Sequence, residues 1–132
     1  MREEIIYRDL EKITVYCLLN RKGILMAKES AFQKGLINDL KKRFPGCMVL
    51  KNDPNYIQGI PDLLVLYEGR WAALECKKAK QASHQPNQDY YVERMNEMSF
   101  SRFVYPENKE NVLDELQQSF QSCRPARFSR GE

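Results

Sequence analysis

The chain has 132 residues, 21 Lys+Arg against 18 Asp+Glu, and a net charge of +3 at pH 7. With 30% charged and 42% hydrophobic residues, disorder throughout is excluded, and the length fits one domain with its own core and short tails. No apolar run approaches the ~18 residues of a membrane helix, no signal peptide is expected from Met1-Arg2-Glu3-Glu4, and so small a positive charge is compatible with nucleic acid without arguing for it.

Residues 1–27 form an N-terminal segment in which Ile5, Ile6, Leu10 and Ile13 fit a helix. Ile13-Thr14-Val15-Tyr16-Cys17-Leu18 fits a strand equally well, and periodicity leaves both open. After a break at Asn20-Arg21-Lys22-Gly23, a helix is predicted from Lys28. Phe32, Leu36, Ile37, Leu40 and Phe44 recur at three- and four-residue steps, and Pro45-Gly46 stops the helix. Glu29, three residues before Phe32, lies on the same inward face. Residues 47–50 read as a short strand and 51–56 as a turn. Residues 61–67 and 70–77 flank Glu68-Gly69 and read as a β-hairpin. A polar loop over 78–86 leads to a helix over 87–98, with Gln88, Tyr91, Val92 and Met95 on one face. A strand follows over 100–105, ended by Pro106, and then a helix over 108–120 with Val112, Leu113, Leu116 and Phe120 inward. Residues 122–132 form a basic, frayed tail carrying Arg124, Arg127 and Arg130, read as non-specific phosphate attraction or nothing. The order αβββαβα implies an α/β fold, a central mixed sheet flanked by helices.

Cys17, Cys47, Cys76 and Cys123 form no C-x-x-C pair, and His84 is the one histidine, which argues against a zinc site. Four reduced, mostly buried thiols in a cytoplasmic protein are expected.

The chemistry concentrates on the hairpin. A two-residue turn sets Tyr67 against Arg70, and pairing two-for-two brings Asp62 opposite Glu75. Directly opposed residues share a face, with Cβ atoms ~4.5–5.5 Å apart. Two carboxylates that close repel, and a Mg²⁺ ion with oxygens at ~2.0–2.1 Å can bridge them. Lys77 lies on the same face, one pleat along. Leu63, Val65, Leu74 and Cys76 point the other way, towards a helix, while Leu64, Leu66 and Ala73 continue the polar set's own face in apolar form. A G1 bulge at Gly69 is the alternative register and would leave Asp62 and Glu75 diagonal.

Gly59-Ile60-Pro61-Asp62, twelve residues, then Glu75-Cys76-Lys77 resembles the PD-(D/E)XK nuclease signature. With Glu29, Lys51-Asn52 and Gln88, the pattern over residues 28–120 resembles the VRR-NUC branch. Those virus-type replication and repair nucleases occur as small standalone phage or bacterial proteins. The resemblance implies a restriction-endonuclease-like domain over residues 28–121. It implies that Asp62 and Glu75 are metal ligands, joined by the carbonyl of Cys76, whose side chain points into the core. Glu29 would complete the shell, directly or through water, or hold a second metal. Lys77 would hold the attacking water or stabilise transition-state charge, and Gln88 would orient Lys77 or that water. The implied activity is Mg²⁺- or Mn²⁺-dependent endonuclease cleavage of DNA, leaving a 5′-phosphate. The implied substrates are four-way junctions or flaps, in replication, recombination or repair, within a bacterial or phage-infected cell. RNA as the substrate, or a non-catalytic nucleic-acid-binding module, are the alternatives.

Each residue also has a plainer reading. Glu29 is alternatively a first-turn acid favoured by the helix dipole, and Gln88 ordinary polarity after Pro86. Lys51 is a phosphate contact or a solvated strand end. Lys78, Lys80, Ser83 and His84 form a phosphate-gripping loop or a solvated one, and His84 is not expected to bind metal. Tyr90 and Tyr91 are candidates for stacking on unpaired bases, with Tyr91 more naturally part of the core. Symmetric junction cleavage needs two sites, which suggests a C₂ homodimer with residues 1–27 as its interface.

Overall fold

The computed structural model describes residues 29–122. In chain order these are α1 (29–43), β1 (Met48–Lys51), β2 (Leu63–Tyr67), β3 (Arg70–Cys76), α2 (Gln88–Met98), β4 (Phe100–Val104) and α3 (Lys109–Ser122). The element order is the predicted αβββαβα. The N-terminal segment 1–27, with its open helix-or-strand reading and its suggested dimer interface, lies outside the described residues. So do Cys17, Cys123, Arg124, Arg127 and Arg130.

The sheet has the order β1-β2-β3-β4. β1 and β3 pair antiparallel with β2, whereas β4 runs parallel to β3, so the sheet is mixed. The parallel step needs a crossover, and α2 supplies it. Glu68 and Gly69 both adopt left-handed backbone, at φ 49° and 77°, the conformation whose twist suits a two-residue hairpin turn. The register runs from Tyr67↔Arg70 to Leu63↔Leu74 without a bulge. Asp62 therefore falls opposite Glu75, and the diagonal alternative is excluded.

Alternation along the strands sorts the side chains. Leu63, Val65, Ala72, Leu74, Cys76 and Val104 meet Leu36, Leu40 and Phe44 of the first helical stretch and Leu113, Leu116 and Phe120 of α3 in one buried cluster. Each fully buried leucine here contributes about 1.5–3 kcal/mol. Phe44, Tyr67 and Phe120 pack as an aromatic triangle, with ring centroids 5.2–5.7 Å apart, at the turn end of the hairpin. On the opposite face α2 packs on β3 and β4, burying Ala73 and Ser101. It leaves the β1–β2 half of that face open, where Met48 and Leu50 are exposed. Among the described residues no helix is long and apolar enough to cross a membrane.

The strands are shorter at the site than predicted. Pro61 has no N–H, and Asp62 and Lys77 lie just outside β2 and β3. Side chains continue the ladder there: the Asp62 N–H donates to Glu75 Oε2 at 3.1 Å, and the Cys76 N–H donates to Asp62 Oδ2 at 3.0 Å. The carboxylates thus replace the carbonyls of a regular sheet at its frayed end.

Candidate active site

Backbone contacts fix Asp62 from below. Asn52, just after β1, donates from Nδ2 to the Pro61 carbonyl at 2.8 Å and from its own N–H to the Asp62 carbonyl at 2.9 Å. The loop between them turns through Gly59, which has φ 89°. A Cβ at Gly59 would stand 2.8 Å from the Asn87 backbone carbon and 2.9 Å from the Pro86 carbonyl oxygen. Only glycine permits this approach. The approach matters because Asn87, itself left-handed at φ 70°, caps α2, whose first residue is Gln88. The loop that ends in Asp62 therefore braces the helix that begins with Gln88.

Four side chains then interlock. Glu75, 2% exposed, accepts from the Asp62 N–H on Oε2 and from Gln88 Nε2 on Oε1 at 2.8 Å. Gln88 Oε1 accepts from Lys77 Nζ at 2.6 Å and from the Gln85 N–H at 2.8 Å. Lys77, 7% exposed, also donates to the Ser83 carbonyl at 3.2 Å, and its ammonium is 4.0 Å from Glu75 Oε1. One amide thus ties the lysine to the glutamate, each in a set orientation. The Lys77 N–H donates to the Val104 carbonyl at 2.8 Å, anchoring its backbone on β4.

The electrostatics are those of carboxylates short of positive charge. Burial, then the neighbouring Asp62 carboxylate, pushes Glu75 up to about 8, with Lys77 opposing. Burial raises Asp62, opposed by the Cys76 N–H and Lys77. Burial, and then Asp62, raise Glu29. Cys76 sits in the core, its thiol held well above the ordinary range by burial and then by Asp62 and Glu75, with the Gln33 side chain opposing.

A cleft of about 580 Å³ opens over this group, lined by Glu29, Asp62, Glu75, Lys77, Lys78, Ser83 and Gln88 among others. The structure thus brings Glu29, on α1, together with the hairpin acids and Gln88. Lys78 and Ser83 reach the same cleft, Ser83 holding Lys77 through its carbonyl. Lys51 and Lys80 are exposed and do not line it. His84 does not line the cleft; its Nδ1 lies 2.7 Å from Asp89 and its ring stacks on Phe103 at 4.2 Å. Sequence reading passed over Gln33 and Gln85, which line the cleft, and the bracing role of Gly59. Gln33 lies one helical turn after Glu29, a spacing that could have found it.

Neither a family model nor a curated protein matches the chain. Among solved structures, one described as "VRR_NUC domain" matches with 31% sequence identity and a TM-score of 0.51, covering 69% of this chain and 95% of that one. The chain belongs to the VRR-NUC family. It is therefore a nuclease-type domain, and its fold is the VRR-NUC nuclease fold.

The donors of this VRR-NUC site have the chemistry a hard divalent cation takes: two carboxylates and the main-chain carbonyl between Glu75 and Lys77. Their raised carboxyls mark a local deficit of positive charge that such an ion would relieve. Among the described residues no three His, Cys, Asp or Glu side chains form a metal-holding group. Asp62 and Glu75 are the pair, with Glu29 lining the same cleft without joining them in a cluster of three.

Proposed function

We propose that this VRR-NUC domain is a Mg²⁺- or Mn²⁺-dependent endonuclease that hydrolyses phosphodiester bonds in branched DNA, four-way junctions or flaps. The observation that carries the reading is the pairing of half-buried Asp62 with buried Glu75, coupled to a buried lysine through the Gln88 amide. Asp62, Glu75 and the Cys76 carbonyl would hold the ion, with Glu29 reaching it through water. A bound divalent cation supplies a polarised phosphate and a water of lowered pKa. The chain's own groups do the rest. Gln88 holds Lys77 Nζ at the cleft floor, so the ammonium donates to the attacking water or to charge building on the phosphate oxygens. Attack of the water oxygen on phosphorus breaks the P–O3′ bond and leaves a 5′-phosphate and a 3′-hydroxyl. Lys78 at the cleft mouth meets a flanking phosphate.

The preference for branched DNA rests on the family. Paired cuts across a four-way junction need two active sites, so a C₂ homodimer accompanies that substrate. The test is a cleavage panel of labelled four-way junction, flap, duplex, single strand and the matching RNA, with Mg²⁺, Mn²⁺ or EDTA. Metal-dependent cuts concentrated at the branch support the proposal. Uniform cutting of duplex would remove the structure preference, cutting of RNA alone would move the substrate class, and binding without cuts would make the domain a non-catalytic module.

A further inference from the structure

The loop between β3 and α2 sends two backbone groups into the site. The Ser83 carbonyl accepts from Lys77 Nζ at 3.2 Å, and the Gln85 N–H donates to Gln88 Oε1 at 2.8 Å. His84 stands between them, and its side chain takes no part in either bond. It turns instead to a carboxylate and an aromatic ring. An ionised carboxylate can only accept, so the His84 Nδ1–H donates to Asp89 Oδ1, at 2.7 Å. The imidazole lies nearly flat on Phe103, with ring centroids 4.2 Å apart and planes 16° apart.

Both partners of His84 belong to the frame of the site. Asp89 follows Gln88 in the first turn of α2. Phe103 is the register partner of Glu75 on the parallel strand β4, and so shares its face of the sheet. Pinning His84 to α2 and β4 therefore sets where the Ser83 carbonyl and the Gln85 N–H stand relative to Gln88 and Glu75. Among the described residues, the one further hydrogen bond of residues 83–85 runs from the Gln88 N–H to the Gln85 carbonyl, at 3.2 Å. Without His84, the segment would be held only by the groups it has to position. Global stability gains little from the contact, because the imidazole is 34% and the Asp89 carboxylate 72% exposed.

An ammonium has three N–H bonds. Two acceptors, the Ser83 carbonyl and Gln88 Oε1, fix the direction of the third, which is left for a water or a phosphate oxygen. One acceptor alone would leave the group free to turn. We propose that His84 is a positioning residue of the active site, anchored by Asp89 and Phe103 so that Ser83 and Gln85 hold the Lys77 ammonium and the Gln88 amide in the orientation cleavage needs. The inference deepens the nuclease reading and rests on it for the role of Lys77.

The test compares the full wild-type chain with His84→Ala and His84→Asn. Asparagine sets its amide nitrogen where Nδ1 stands, so it keeps a donor for Asp89 without the ring. One readout is hydrogen exchange of the Gln85 N–H by NMR in EDTA. The Tyr91 N–H, which donates to the Asn87 carbonyl at 3.0 Å, is the reference within α2. The other readout is the single-turnover cleavage rate in Mg²⁺ at saturating protein, beside DNA affinity in EDTA. His84→Ala should speed Gln85 exchange about ten-fold with Tyr91 unchanged. It should slow cleavage about ten-fold or more, with DNA affinity and melting preserved. His84→Asn should recover part of both. A purely structural role would instead lower the melting temperature and speed exchange at Tyr91 as well. That pattern, or a His84→Ala protein that keeps the wild-type cleavage rate or the wild-type Gln85 exchange, would overturn the proposal. No cleavage by wild type in Mg²⁺ or Mn²⁺ would sink the hydrolytic reading, and the exchange data would still decide whether His84 anchors the Lys77–Gln88 pair.

Discussion

Replacing Glu75 by glutamine isolates the charge at the centre of the site. In the metal-free protein its carboxyl is pushed from 4.5 up to about 8, chiefly by burial and then by Asp62. Between those values the folded chain binds more protons than the unfolded one, so stability falls as pH rises. At pH 5 Glu75 has exacted little of this cost; by pH 8 nearly all of it is present. The linkage sets the difference at about 3–4 kcal/mol as a ceiling. Glutamine has no charge to lose, though its single oxygen can accept from only one of the Asp62 N–H and Gln88 Nε2, and its NH₂ then faces the other donor. That mismatch costs about 1–3 kcal/mol at any pH and cancels when each protein is compared with itself. The assay is urea unfolding of wild type and Glu75→Gln in EDTA at pH 5 and pH 8. Wild type should lose more stability over that interval than the variant does, and Mg²⁺ should restore wild type alone. Parallel losses in the two proteins, or equal Mg²⁺ stabilisation of both, would refute the reasoning.

Other outcomes follow from the same contacts. Gly59→Ala combines a Cβ 2.8 Å from Asn87 with φ 89° and should cost about 2–3 kcal/mol in chemical denaturation. Gln88→Ala removes the amide between Lys77 and Glu75 and should lower the single-turnover rate about 100-fold with DNA affinity in EDTA preserved. Lys77→Ala should lower the rate by about 10²–10³-fold or more while Mg²⁺ still raises the melting temperature. Cys76→Ser should cost stability and leave the rate of the folded fraction intact. In the native wild type, peptide mapping should find Cys76 unalkylated by iodoacetamide until the chain unfolds.

Much of this molecule is legible in its sequence for a physical reason. A two-residue turn at Glu68-Gly69 determines every pairing on the hairpin, so placing Asp62 against Glu75 takes arithmetic alone. The helical spacing of Phe32, Leu36, Leu40 and Phe44 is strong because it repeats an apolar residue at every turn, and Leu36, Leu40 and Phe44 are buried. What could not be read was tertiary. Nothing local says that Gly59 must approach Asn87, or that the Ser83 carbonyl receives the Lys77 ammonium, since both join segments that no periodicity relates. His84 looked like a loop residue available to a phosphate, and only the fold sets Phe103 beneath its ring. The strand ends were overextended at Asp62 and Lys77 because apolar alternation runs on after the backbone ladder has given way to carboxylates. Gln33 faces both the cleft and the Cys76 thiol, and a polar residue on an apolar helix face is a quiet signal beside the two acids.

The most direct measurement of the central claim is single-turnover cleavage of flap and four-way junction DNA by wild type, Asp62→Ala and Glu75→Ala, each in Mg²⁺, Mn²⁺ and EDTA. Binding would be recorded on the same substrates. The account predicts metal-dependent cutting by wild type, none by either variant, and DNA affinity in EDTA equal to or above that of wild type, because a negative charge has been removed from beside the phosphate. Near-normal cutting by Asp62→Ala, or cutting by wild type that persists in EDTA, would contradict it.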